Sequence, residues 1–390
     1  MKRFWVNIFS LFFFLIALFL LASNSFGRGN YSDESWIWVI YSNILEVFKP
    51  AKKSVYLVAG GDIMFSRNIG YLAKKEWYDR IFRSWNYNPV SSFENCTWYD
   101  CLLFFNLESL FNEQDNDIQK WWFLFKANPK NVETLLQLRG DHAMVLSLAN
   151  NHTINTTYSW VVQTKEILDS NNILRAGVWT STWESRKFAI YEKNWIKICI
   201  WAYSYDGQFV KVWAGKISRN PTDERIIKED LALMAETGCD AKILSLHRWA
   251  EYRLSPNQQQ RKLAHALIDS WADLILGWHS HVPWEFEIYN GKYVFYSFGN
   301  FIFDQSRWKR TPWWNYDHIF DYELNKRTVP TYISLTAWLN IEKLDTGVNI
   351  TLDKFVMSAL TDGIPAPLDA ETYSGIMDRI NISNIEIPSI

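Results

Sequence analysis

Along this chain, short unbroken apolar runs alternate with stretches of helical periodicity, and the runs break off at polar residues of a particular kind. Residues 55–59 lead into Gly60-Gly61-Asp62, residues 102–105 into Asn106-Leu107-Glu108, and residues 143–148 into Asn150-Asn151-His152. Residues 242–246 end at His247, residues 273–276 lead to His279 and His281, and residues 293–297 run into Gly299-Asn300. Unbroken apolar runs of this length read as strands buried on both faces. In open α/β sheets, ligands bind in the crevice outside the carboxyl ends of the strands. Side chains that hold metals or move protons, set at six such ends, predict one convergent, enzyme-like metal site.

Helical periodicity covers residues 69–82, 129–138, 158–169, 223–236 and 256–270, with a polar connection at 112–119. The alternation of helices and strands argues for an α/β sheet layer. Hairpins are mixed in at 188–202 and 286–298. A third, near 331–359, turns around Asp345-Thr346-Gly347 and suggests a second β layer or an appended piece. The expected class is therefore α/β with α+β character, and no repeat of 20–50 residues is present.

The first two dozen residues differ in kind. Lys2 and Arg3 precede residues 4–22, which are nearly uncharged and rich in Phe and Leu. That run is long enough to span a bilayer, and the basic pair before it stays cytoplasmic, sending the rest of the chain outward. The expected organisation is a transmembrane anchor over 1–24, a juxtamembrane linker over 25–53, a main domain over 54–310, and a C-terminal hairpin and tail over 311–390. The alternative for the first segment is a cleaved signal peptide with Ala22-Ser23-Asn24 as its small-residue site. Either way the globular part is expected outside the cytoplasm, in a single-pass protein of the cell membrane. A net charge of −2 and a pI near 6.4, with no long basic block, give no reason to expect nucleic acid.

Four cysteines in 390 residues do not make a disulfide framework. Cys199 and Cys239 read as buried thiols, and the spacing of Cys96 and Cys101 permits a bridge without establishing one. Tryptophan is the anomaly: 22 Trp stand against 16 Gly, whereas Gly averages about 7% of ordinary chains. Residues 286–294 read as a hairpin with an Asn290-Gly291 turn, a pair favoured because both positions need positive φ. Residues 188–198 repeat that pattern with Asn194-Trp195. The helix over 259–270 stops at Trp271, where a left-handed cap calls for Gly. Trp160, Trp179, Trp249, Trp278 and Trp284 also occupy turn-like or crowded contexts. We read this as a gene in which UGA specifies glycine, translated here with Trp. The rival reading is a Trp-rich surface for polymer or membrane.

Within the predicted site, His279-Ser280-His281 is the strongest element, because neutral imidazole is the commonest metal-binding side chain. His247 extends it to three histidines. Asp62 adds a hard oxygen, although Asp in such a place also caps helices. Asn151 offers an amide oxygen and places His152 as a general acid; an Asn-His turn bonded to its own backbone is the plainer alternative. Glu108 bridges metals or orients a histidine, and Asn106 orients by hydrogen bonding. His142, His265 and His318 read as surface or structural.

These motifs carry a resemblance. Gly61-Asp62-Ile63-Met64, Asn106-Leu107-Glu108-Ser109, residues 147–152, His247 through Glu251-Tyr252, residues 272–281 and residues 296–304 occur in order, and together they resemble the CapA family of capsule and poly-γ-glutamate synthesis proteins. Where that family carries glycine, this chain has Trp after Ser270, before His279 and after Arg248. The resemblance implies a metallophosphatase-like sandwich of two β-sheets flanked by helices. It implies Asp62, Glu108, Asn151, His247, His279 and His281 as ligands of one or two divalent metal ions, with His152 as proton donor. Met64 departs from the Asp-x-His of phosphatases with that fold, so one ligand is missing. The expected partners are the membrane, an anionic polymer or its precursor, and synthase subunits. Two roles follow as expectations: a metal-dependent hydrolase, or a non-catalytic polymer-handling partner with a vestigial pocket.

Overall fold

The computed structural model describes residues 53–75, 96, 99–113, 124–155, 157–179, 187–204, 218–219, 222–248, 250–305, 331–361 and 363–368. The expected anchor at 4–22, the linker up to residue 52, Trp249 and His318 lie outside the described residues. Among the described residues, no helix is long and apolar enough to cross a membrane.

Each apolar run becomes a strand. β1 (Ser54–Ile63), β2 (Cys101–Leu107), β3 (Ala143–Ser147) and β4 (Leu174–Ala176) pair in parallel. A second parallel set forms from β6 (Ile196–Ser204), β7 (Ala241–His247), β8 (Leu274–Trp278) and β10 (Lys292–Phe295). Each set acquires antiparallel neighbours. β5 (Ala189–Lys193) flanks β6, and β9 (Phe286–Tyr289) flanks β10. β12 (Ile333–Leu344), β13 (Gly347–Thr361) and β14 (Ile364–Pro367) extend the first sheet from β1. The third hairpin thus widens the first sheet rather than forming a layer of its own. β11 (Asn300–Ile302) docks in parallel on the end of β1.

Helices fill the gaps as the periodicity predicts: α1 (Arg67–Lys75), α2 (Val132–Arg139), α3 (Tyr158–Ser170), α4 (Glu224–Glu236) and α5 (Gln258–Ile268). Side-chain alternation along the strands sorts the core into layers. In β1, Val55, Leu57 and Ala59 join Ile198, Ile200, Ile243 and Leu276 between the sheets. Tyr56 and Val58 face the other way, toward Leu135, Leu138, Val161 and Leu168 of the helices. On the outer face of the second sheet, Trp201, Leu244 and Leu246 meet Ile227, Leu231, Leu263 and Leu267. The result is the sandwich of two sheets between helices that the resemblance implies. Because most strands are covered on both faces, their sequences are apolar throughout, which is why they were legible.

The cysteine reading needs correction. Cys199 and Cys239 are not free thiols but a disulfide with a Cα–Cα distance of 5.8 Å, tying β6 to the entrance of β7. Cys96 and Cys101 form a second bridge. A thiol and a half-cystine leave the same trace in sequence, a small apolar residue in a buried run.

The tryptophan expectations divide. Trp195 has φ 66° and follows Asn194 at φ 52°, in the two-residue turn between Lys193 and Ile196. The equivalent turn at Asn290-Gly291 has φ 49° and 73°. Trp271 has φ 78°, and the amide of Ala272 after it donates to Leu267 O at 3.1 Å. Gly238 does the same after α4, with φ 75° and Cys239 N donating to Met234 O at 3.1 Å. Both indoles project into solvent, 78% and 80% exposed, so backbone strain is not offset by packing. Trp278 and Trp284 are different. Trp278 fills the layer between the sheets against Phe104, its Nε1 donating to Gly60 O at 3.0 Å, and does not crowd the predicted pocket. Trp284 is buried in the outer layer with its Nε1 donating to Arg253 O. Neither position demands glycine.

Replacing Trp195 or Trp271 with Gly is therefore expected to stabilise the fold by on the order of 1 kcal/mol each, from relief of left-handed backbone at an L-residue. Trp278→Gly is expected to cost about 3–5 kcal/mol through the cavity it leaves. Urea unfolding of the three single variants measures both signs.

Candidate metal centre

The carboxyl ends of both sheets meet, and the seven residues expected there converge. Asp62 lies near the end of β1, Glu108 directly after β2, and Asn151 and His152 at the start of a 3₁₀ turn (Asn151–Asn155) after β3. His247 ends β7, and His279 and His281 follow β8. Donor atoms of Asp62, Glu108 and His247 lie within 4.8 Å of one another. The His247 and His279 rings are 4.7 Å apart, and His281 Nδ1 is 3.6 Å from Asp62 Oδ2.

Two glycines make the approach possible. A side chain at Gly61 would put a Cβ 2.3 Å from Gly299 O, so only glycine lets β11 close on β1. The amide of Asp62 donates to that same carbonyl at 2.9 Å. Asn300 is thereby aligned with Asp62 in register, and its Oδ1 lies 2.9 Å from His281 Nδ1.

Amides orient the donors. Asn106 Nδ2 donates to Asp62 Oδ1 at 2.8 Å and lies 3.2 Å from His247 Nδ1. That contact makes Nδ1 the acceptor, so Nε2 carries the proton and donates to Asn151 Oδ1 at 3.0 Å. Asn150 is structural: its Nδ2 donates to Leu107 O at 2.8 Å. His152 stacks on Phe125 with ring centroids 3.7 Å apart, its Nε2 3.9 Å from Glu108 Oε2.

The electrostatics are severe. Asp62 Oδ2 and both oxygens of Glu108 are buried without a hydrogen-bond partner. Burial pushes Asp62 up to about 8, against the bonds from Asn106 and the His279 backbone. Burial drives Glu108 well above the usual carboxylate range, and the charges of Asp62 and Glu251 add to this while Arg67 opposes it. Burial also holds His279 and His281 down to about 3, so both are neutral imidazoles at ordinary pH. Buried carboxylates lacking hydrogen bonds, faced by neutral imidazoles, fit a divalent cation. The spacings agree. His247 Nε2 is 3.5 Å from Glu108 Oε1, beyond a good hydrogen bond. Two donors each about 2.1 Å from one ion stand about 3–4 Å apart.

Met64, the departure noted in the sequence, turns away. It is buried in the helix-side core, where its sulfur accepts from Ser66 N at 3.0 Å. Two neighbours of the site were given no role from sequence, Glu251 appearing there only as part of a matched motif. Arg67, at φ 51°, is paired with Asp304 and lies over the rings of Phe125 and Phe303, 4.7 and 5.7 Å from their centroids. Glu251, from the loop after β7, has Oε1 3.8 Å from His279 Nε2. A lone Arg at a helix start or Glu in a loop carries no spacing signal, and only its position relative to a matched motif marks it.

A family model described as bacterial capsule synthesis protein PGA_cap matches residues 56–305. The PGA biosynthesis protein CapA of Bacillus subtilis (strain 168) is 28% identical over 260 residues, covering 64% of this chain and 63% of that protein. The capsule biosynthesis protein CapA of Bacillus anthracis is 27% identical over 265 residues, covering 64% and 60%. The matched region thus spans less than two thirds of either relative's length. A probable polyglutamine synthesis accessory protein of Mycobacterium tuberculosis (strain ATCC 25618 / H37Rv) is 24% identical over 291 residues, covering 64% and 74%. Among solved structures, the calcineurin-like phosphoesterase YfkN from Bacillus subtilis aligns with a TM-score of 0.36 and 13% identity, covering 85% of this chain and 98% of that one. The 5'-nucleotidase precursor from Thermus thermophilus aligns with a TM-score of 0.39 and 11% identity, covering 84% and 59%.

The shifted groups set a pH dependence for the metal-free protein. A His lowered to about 3 adds stability as pH rises to its ordinary value near 6.5, whereas a carboxyl raised to about 8 removes stability between its ordinary 3.8 and 8. The two trends oppose each other at acid pH, but only the carboxyls act from about pH 6.5 to 8. In EDTA the melting temperature is expected to fall across that window, and to fall less in Asp62→Asn. A wild-type profile that rises or stays flat there contradicts the assignment.

Proposed function

The chain belongs to the bacterial capsule synthesis protein family PGA_cap, and on that footing we propose that it is an accessory protein of capsule or polyglutamate-type polymer synthesis acting through a divalent-metal site. The observation that carries this reading is the pair of buried carboxylates, Asp62 and Glu108, with three oxygens lacking hydrogen bonds and imidazoles at ion-sharing distance.

In this reading Asp62, Glu108, Asn151, His247, His279 and His281 hold the ion. A divalent cation held by these residues would supply Lewis-acid chemistry, polarisation of a phosphoryl or carbonyl oxygen of the polymer precursor and acidification of water. Asn106 and Asn300 fix the orientation of His247 and His281. To act as a ligand through Nε2, His247 would carry its one ring proton on Nδ1 instead, because only an unprotonated nitrogen has a lone pair to offer, and Asn106 would turn its amide oxygen toward that N–H. His152, held flat against Phe125 beside Glu108, donates its proton to the leaving group. Arg67 brings a fixed positive charge toward the same pocket, suited to an anionic substrate.

The protein works on the outer side of the cell membrane, anchored by residues 4–22. Two disulfides support an oxidising compartment, since such bonds are rare in the cytosol. A second role, a polymer-handling partner of a membrane synthase without catalysis of its own, draws its support from Met64, whose side chain is spent on the core. The gene itself reads UGA as glycine, so that residues 195 and 271 of the natural product are glycine. The left-handed backbone at both, duplicated elsewhere in the chain by true glycines, favours this.

Metal analysis and a phosphodiesterase assay on the full-length chain separate the two roles. His247→Ala is expected to lose metal and activity together. His152→Ala is expected to keep the metal while activity falls about 10²–10⁴-fold. Full complementation of polymer production by both variants would sink the enzymatic role. Codons decide the recoding: UGG at positions 195 and 271 refutes it.

A further inference from the structure

His247 ends β7 with its ring turned between the sheets, toward Asn106 and Asn151. Alternation along the strand therefore sends Arg248 to the opposite face, where α5 begins. A cavity of about 330 Å³ opens there, with Arg248, Asn257, Gln260, Leu263 and His279 in its lining. Of the residues assigned to the ion it touches His279, so it adjoins the metal centre without being part of it. Small-molecule sites run from about 300 to 1,000 Å³. This one has room for a single repeat unit and not for a length of polymer.

Its polar wall is rich in donors. Arg248 Nη1 donates to Thr222 O at 2.9 Å, and Thr222 N donates in turn to Ser204 O at 3.0 Å, which pins the guanidinium to the end of β6. One N–H is spent there, and the planar fork that matches a carboxylate remains. The cap of α5 orients two amides. Asn257 Oδ1 accepts from Gln260 N at 3.0 Å, and Gln260 Oε1 accepts from Asn257 N at 2.6 Å. With both oxygens committed to backbone, each side chain has its NH₂ group left to offer, and neither group makes a hydrogen bond among the described residues. Arg261, one residue further along, ties α5 to the β9 side through Glu285 and Glu287, which holds the cap in place opposite Arg248. Among the described residues, none that lines the cavity is acidic, and Leu263 supplies an apolar surface. Glu251, whose Oε1 lies 3.8 Å from His279 Nε2, is not in the lining.

One guanidinium with neutral amides balances a single negative charge on a planar group, which favours a carboxylate over a phosphate dianion. We propose that this cavity is a carboxylate subsite. Arg248 takes the anion, Asn257 and Gln260 donate to it, and Leu263 packs on its methylene stem, while the adjoining unit of the same polymer sits at the ion beside His279. The proposal rests on the metal-site reading above and names its ligand class, an acidic polyamide with a free carboxylate on every unit. In a γ-linked glutamyl chain that carboxylate branches from the carbon next to the amide nitrogen. An amide carbonyl at the ion thus brings the carboxylate into the adjoining cavity.

The test is calorimetry of γ-linked triglutamate binding to the Mn²⁺-loaded full-length chain, beside its α-carboxamide analogue and inorganic phosphate. Wild type, Arg248→Gln and Gln260→Glu are compared. Arg248 is exposed, and Gln260→Glu preserves the capping box while adding a negative charge, so both variants are expected to melt and to take up Mn²⁺ as wild type does. Triglutamate is expected to bind each variant about tenfold more weakly, and the carboxamide analogue to bind wild type about tenfold more weakly than triglutamate does. The second comparison needs no variant to fold. Unchanged affinity in Arg248→Gln, or equal affinity of wild type for the carboxamide, overturns the subsite while the metal reading stands. Inorganic phosphate that binds wild type more tightly than triglutamate, and is lost in Arg248→Gln, overturns the carboxylate assignment. A wild type that holds Mn²⁺ and binds no triglutamate overturns the subsite alone, and one that holds no Mn²⁺ overturns both readings.

Discussion

Two carboxylates placed where water cannot reach them set the terms for the rest of this molecule. Asp62 and Glu108 sit at the ends of adjacent parallel strands, nearly inaccessible, with oxygens that no protein donor satisfies. Isolated burial of that kind is among the costliest arrangements a fold can hold. It persists because two well-packed sheets on either side leave the ends of β1 and β2 nowhere else to go. Everything around the pair answers to it: imidazoles kept neutral, amides that fix geometry without adding charge, and one guanidinium held at arm's length by Asp304 and two phenyl rings.

Backbone strain tells the same story in another coordinate. Among the described residues, nine non-glycine residues have positive φ. Asn172, Asn194 and Asn290 sit in turns or caps, where asparagine tolerates the left-handed region. Trp195 and Trp271 sit in the same kinds of turn without that tolerance. The remaining four, Arg67, Tyr252, His279 and His281, all surround the site. Strain here is therefore either functional or tied to the two tryptophans, and the two classes do not overlap in space.

How much of this was legible in the sequence depended on periodicity. Strands covered on both faces gave unbroken apolar runs, and parallel pairing then dictated that Asp62, Glu108, His152, His247 and His279 share an edge. Register did the rest. What stayed hidden was whatever rests on pair geometry alone. Nothing at Cys199 announced Cys239 across two strands, and Glu251 stood out only as part of a matched motif, with no spacing to say that it faces His279. Trp278 and Trp284 misled in the opposite direction. Their flanking residues suggested crowding, but alternation on β8 turned one indole into the inter-sheet core, and the other found a carbonyl for its N–H. Trp195 and Trp271 were legible because turn chemistry is local, and the same chain supplied glycine controls in Gly291 and Gly238.

The docking of β11 on β1 has a temporal consequence. Asp62 is among the first residues of the sheet to be synthesised, and its register partner Asn300 comes among the last of the parallel framework. The carbonyl of Gly299, which receives the Asp62 amide, comes equally late. A nascent chain therefore emerges with its donors scattered and hydrated, and the desolvated pocket exists only after about 250 residues have followed Lys53. A chain truncated between His281 and that strand carries the whole ligand inventory and lacks the strand that closes on it. Synthesis of β11 is itself the event that arms the site.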